Sequence, residues 1–78
     1  MKQKQRLQKM EAEARAFSRR YWSGRASSAR RVAMSNVEAA TMLLVKDNVD
    51  LQRLNTLMGR AHNAEEDLRY YEGRLRAL

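Results

Sequence analysis

The sequence predicts an all-α fold, in which a short basic first helix forms a hairpin with a long second helix by coiled-coil-like packing. The 78 residues contain no proline and only three glycines, and these are the residues that most strongly oppose helices. Apolar residues recur at alternating steps of three and four in both halves, which places them on one side of a helix. So short a chain buries little apolar surface, and without cysteine it has no disulfide to compensate. We therefore expect contacts with other subunits.

The first predicted helix covers residues 1–22 and is basic and amphipathic. Its end is indicated by Ser23 and Gly24, since glycine is favoured just beyond a helix terminus. Residues 23–35 then form a turn and a basic lead-in to the second helix. The side of the first helix that is expected to pack in the hairpin seam carries Leu7, Met10, Ala14, Phe17 and Tyr21.

The second predicted helix, or helix pair, covers residues 36–78. Ser35 and Glu38 form a capping-box pattern ahead of an apolar-periodic segment. Val37, Leu44 and Leu51 extend the expected hairpin seam into this half of the chain. The whole chain is then one small domain.

The continuity of the second helix is open at residues 46–50. A break there, with Asp47 or Asn48 as the new helix cap, gives a three-helix arrangement. An unbroken helix instead leaves Asn48 to fix the register against another subunit. A kink at Gly59 is a weaker third alternative.

The C-terminal half contains the longest apolar seam in the sequence. An unbroken helix from residue 37 to residue 78 would be roughly 60 Å long, twice the roughly 30 Å of the first helix. The first helix would then leave much of the seam uncovered, so we expect it to be an interface with another chain. The predicted partner interface consists of Leu54, Leu57, Ala61, Ala64, Leu68, Tyr71, Leu75 and Leu78.

Positive charge is concentrated at the N-terminal end. The chain has a net charge of +7, and residues 1–31 contain ten Lys or Arg and only two Glu. A segment of one sign favours an anionic neighbour such as nucleic acid, an acidic protein or an anionic membrane surface. The residues expected to contact that anion are Arg15, Arg19, Arg20, Arg25, Arg30 and Arg31.

Catalytic and metal-binding chemistry is not indicated. His62 is the only histidine, and Glu65 and Glu66 beside it are insufficient for a metal site in one chain. No phosphate-binding glycine loop or nucleophile motif is present, so we expect neither an enzyme nor a cofactor or small-molecule substrate. The longest apolar segment, Met42–Val45, predicts no transmembrane helix, and no signal peptide is evident.

One short motif resembles a known family. Trp22, Ser23, Gly24 and Ala26 are similar to the Trp-x-Gly turn of small helical hairpins exported by type VII secretion. That resemblance implies an all-α dimer secreted by a bacterium. The chain departs from the family pattern near its C-terminus, because Tyr70 and Tyr71 are followed four residues later by Arg74 and Leu75 rather than by an acid.

These patterns favour a non-enzymatic helical assembly protein. It would pack against copies of itself or other subunits of a larger complex, such as a virion, a nucleoprotein particle or a ribosome-like assembly. Its basic N-terminal segment would lie against the anionic partner. The alternatives are a small regulator that binds nucleic acid without sequence specificity, and a secreted hairpin of the Trp-x-Gly type.

Overall fold

The protein is a helical hairpin. In the computed structural model, which describes residues 2–78, helix α1 spans Lys2–Leu44 and helix α2 spans Leu51–Arg76. The two helices pack antiparallel in a rod of 72 × 14 × 13 Å. The all-α class and the hairpin are therefore confirmed, whereas the short first helix is not.

Helix α1 does not end at Trp22. Gly24 is helical and has no positive φ, and residues 23–35, predicted as a turn, continue the same helix. A glycine inside a helix costs about 1 kcal/mol relative to alanine, but the helix continues beyond it with Ala26 and Ala29 buried. The predicted division at residues 22 and 35 is therefore wrong, and the Trp-x-Gly motif does not form a turn.

The chain does reverse at residues 45–50, where a break was one of the alternatives. Asp50 begins α2, because its side-chain Oδ1 accepts a hydrogen bond of 3.0 Å from the backbone N–H of Arg53. The cap is thus neither Asp47 nor Asn48. Since α1 is unbroken, this reversal joins two helices, and both the three-helix arrangement and the continuous second helix are wrong. Helix α2 runs through Gly59 without interruption.

The core is a narrow contact between the helices, built largely from alanine. Ala40, Leu43 and Leu57 form its buried cluster, with Ala39 and Leu54 packed against them. Small side chains allow the helix axes to approach closely, so the contact is tight but buries little apolar surface. We call the α1 side of this contact the inner stripe; it consists of Trp22, Ala26, Ala29, Ala33, Asn36, Ala40 and Leu43.

The cap at Asp50 provides a test of the hairpin turn. Replacing Asp50 with alanine removes an acceptor for an N–H that has no partner within the helix, and we expect a loss of about 1 kcal/mol in the free energy of unfolding. Asp47→Ala is the matched control, because Asp47 is exposed and caps nothing. Urea denaturation at one fixed protein concentration measures both variants. Equal stability of the two would contradict the assignment of the cap.

Candidate protein interaction surface

The N-terminal part of α1 has no helix beside it. Helix α1 has 43 residues and α2 has 26, a difference of about 25 Å at 1.5 Å per residue. Every residue from 3 to 17 is exposed, and we call this segment the arm. Leu7, Met10 and Phe17 expose 60%, 63% and 66% of their surface. The arm thus carries large apolar side chains that the hairpin leaves in solvent.

The predicted hairpin seam is wrong on both helices. Its members in the arm lie beyond the end of α2, and Tyr21, Val37, Leu44 and Leu51 are also exposed. The seam that forms instead, the inner stripe, follows a regular pattern of four- and three-residue steps. It was not predicted because most of its positions are alanine, and alanine is a weaker sign of a buried helix side than leucine or phenylalanine.

The predicted partner interface on α2 lies against α1 of the same chain. Leu57, Ala61 and Ala64 are buried there. The premise that the first helix is too short to cover this seam is wrong, because α1 runs to Leu44. Toward both ends of the seam the cover is partial: Leu54, Leu68, Tyr71 and Leu75 are half-buried and Leu78 is exposed.

An aromatic cluster marks the place where the arm leaves the hairpin. The ring of Trp22 lies 6.0 Å from Tyr70 and 5.8 Å from Tyr71, measured between centroids. The guanidinium of Arg74 stands 5.2 Å from the centroid of the Trp22 ring, a cation–π contact. These contacts tie the end of α2 to α1 and fix the point from which the arm projects.

Tyr21 and Arg25 continue this cluster along the outside of α1. Tyr21 packs edge-on against Trp22 with centroids 4.9 Å apart. The guanidinium of Arg25 donates hydrogen bonds to the Tyr21 hydroxyl, with the nearer nitrogen at 3.2 Å, and this contact raises the pKa of Arg25. The same guanidinium lies over the Tyr21 ring, with its central carbon 5.5 Å from the ring centroid.

The apolar side of the arm is one end of a longer stripe on α1. Members recur at steps of three or four residues over nearly the whole helix, and beyond the arm Val32 and Met42 remain 49% and 66% exposed. Six members directly precede an inner-stripe residue, so this line lies about 100° around the helix from the contact with α2. We call it the outer stripe; it consists of Leu7, Met10, Ala14, Phe17, Tyr21, Gly24, Ser28, Val32, Ser35, Ala39 and Met42.

The inner and outer stripes behave differently where α2 ends. Continued from Trp22 toward the N-terminus, the inner stripe becomes polar, with Ser18 and then, in the arm, Arg15, Glu11, Gln8 and Lys4 at its positions. The outer stripe remains apolar through Leu7. The arm is thus polar on the side where α2 would lie if it were longer, and apolar on the side about 100° away.

A second apolar surface lies on the other side of the hairpin. It is a groove between the helices lined by Ala33, Met34, Val37, Met58 and Ala61. Its rim carries Glu38, His62 and Glu65. Val37 and Met58 both line it because the chain reverses at residues 45–50 and brings the two helices side by side.

The six predicted anion-contacting arginines do not form one surface. Arg30 lies 3.6 Å from Glu72 and Arg25 is bonded to Tyr21. Arg19 and Arg20 are exposed and adjacent, so they project about 100° apart around α1. Arg31 borders a shallow depression with Ser28 and Val32. Arg15, in the arm, is exposed.

His62 is exposed, and among residues 2–78 no three His, Asp or Glu side chains gather as metal ligands. Neither helix contains an apolar stretch that would cross a bilayer. No protein-family model, curated protein or solved structure matches the chain. The geometry of the arm and the outer stripe is therefore the main guide to function.

Proposed function

We propose that this chain is a non-enzymatic helical assembly protein, and that the arm is the element by which it docks onto other helical subunits. The observation that carries this proposal is the apolar side of the arm, where Leu7, Met10 and Phe17 stand mostly in solvent. Helices without tertiary contacts are marginal in water at this length. A partner that covers this side stabilises the helix and removes apolar surface from water at the same time.

The charge of the arm indicates the character of that partner. Lys4, Arg6, Lys9 and Arg15 are exposed along it, against Glu11 and Glu13. Among the side chains of residues 3–78, the salt bridges are Arg30 to Glu72 and Arg69 to Glu65, and neither lies in the arm. A partner with acidic residues beside an apolar surface matches both features of the arm.

The test is a single charge placed on the apolar side. Phe17→Glu removes the burial of a phenylalanine, worth about 1.5–3 kcal/mol, so we expect association to weaken by roughly tenfold or more. Size-exclusion of a native extract, with the chain detected by antibody, should show a complex for the natural chain and the free 9.1 kDa protein for the variant.

Ala12→Glu is the matched control, since it adds the same charge to an exposed position of the arm. Ala12 lies two residues from both Met10 and Ala14, hence about 200° around the helix from each. If the natural chain itself migrates as a free monomer, or if the two variants behave alike, the proposed function is wrong.

A polyanion is a second candidate partner, favoured by the exposed and adjacent Arg19 and Arg20. Binding to phosphates releases counterions, so the affinity for duplex DNA should fall steeply as salt rises. Replacing both arginines with alanine should reduce that slope by about two, whereas Arg53→Ala with Arg60→Ala on α2 should leave it unchanged. Absent or salt-insensitive binding, measured by fluorescence anisotropy, rejects this candidate.

A further inference from the structure

We propose that the partner of the outer stripe is a second copy of this chain, packed antiparallel so that the two α1 helices cross near Gly24 and Arg25. This inference rests on the proposed function and names the partner of the arm. Each arm then lies along α1 of the other copy, beyond the end of its own α2. The contact is the same on both copies and closes as a two-fold dimer.

The outer stripe is self-complementary in this arrangement. When residue 24 of one copy lies opposite residue 25 of the other, Phe17 meets Val32 of the partner subunit. The large ring of Tyr21 then falls opposite the small Ser28 of the partner subunit, and Leu7 falls opposite its Met42. Ten of the eleven members of the stripe find a counterpart within it, with large side chains facing smaller or flexible ones, whereas Gly24 falls opposite Arg25 of the partner subunit.

The crossing point is also suited to a close approach. A Cβ at Gly24 would have no atom within 4 Å in the hairpin, so no intramolecular contact explains a glycine there. Because Gly24 has no side chain, it leaves room beside the backbone for Arg25 of the partner subunit. Sliding the partner by one heptad in either direction keeps the stripes aligned but leaves members unpaired at the ends, so the alignment about residues 24 and 25 covers the most apolar surface.

Charge selects the antiparallel orientation. Residues 2–20 contain seven Lys or Arg and two Glu, whereas residues 29–67 contain five Lys or Arg and six Asp or Glu. A parallel dimer would place the two strongly basic segments side by side. The antiparallel dimer places each of them beside the slightly acidic end of the other hairpin, where Glu38 and Asp50 lie.

Cysteine cross-linking tests this arrangement directly, because the natural sequence has no cysteine. Phe17→Cys and Val32→Cys proteins are prepared separately, mixed and oxidised. We expect a disulfide-linked heterodimer in the mixture and none from either variant alone, since a disulfide requires Cβ atoms within about 4.5 Å. Ala12→Cys mixed with Val32→Cys is the control and should not cross-link, because Ala12 lies on the opposite side of the arm.

Each other outcome overturns the inference. Cross-linking of Phe17→Cys with itself indicates a parallel dimer. Cross-linking of Phe17→Cys with Val37→Cys, but not with Val32→Cys, places the arm in the groove on the other side of the hairpin. No cross-link, with sedimentation of the natural chain as a monomer, excludes a second copy as the partner. The proposed function is then judged separately by whether Phe17→Glu releases the chain from its complex in native extracts.

Discussion

The unequal length of the two helices is the constraint on which the rest of the structure depends. Helix α2 covers α1 only as far as the aromatic cluster at Trp22, because the chain reverses at residues 45–50 and α2 ends at Arg76. A helix that continues past its neighbour has no intramolecular source of tertiary stabilisation. The apolar side of the arm can therefore stabilise this part of α1 only if a molecule outside the hairpin covers it.

The positions of the two stripes on α1 relate this difference in helix length to the proposed function. A helix that packs against one neighbour needs one apolar line, whereas a helix in a bundle of three or four needs two lines about a quarter-turn apart. In α1 the inner stripe packs against α2, and this side of the helix is largely apolar only along the length that α2 covers. The outer stripe extends further, from Leu7 to Met42, and its large members are exposed. That pattern supports the proposal that the chain is a subunit of a larger helical bundle.

The sequence predicted the helical class and the hairpin, because composition and period depend on local chemistry. It misplaced the turn because Ser23 and Gly24 have poor helix propensity, and propensity does not report contacts with another helix. Trp22 packs against Tyr70 and Tyr71, and Ala26 and Ala29 are buried, so helix α1 continues through these residues. The stripe from Leu7 to Tyr21 was recognised, yet its neighbour could not be identified before the positions of the helix ends were known. The inner stripe was not predicted because a line of alanines indicates a helix contact only when the helix opposite it is known.

Amide hydrogen exchange at two protein concentrations tests the central claim most directly, namely that order in the arm comes from contact with another molecule. At low concentration the account predicts rapid exchange for residues 3–17 and strong protection around Ala40 and Leu57, which lie in the core. At high concentration, or with the native partner present, the arm should become protected while the core changes little. Full protection of the arm at the lowest concentration, or rapid exchange under every condition, would contradict the account.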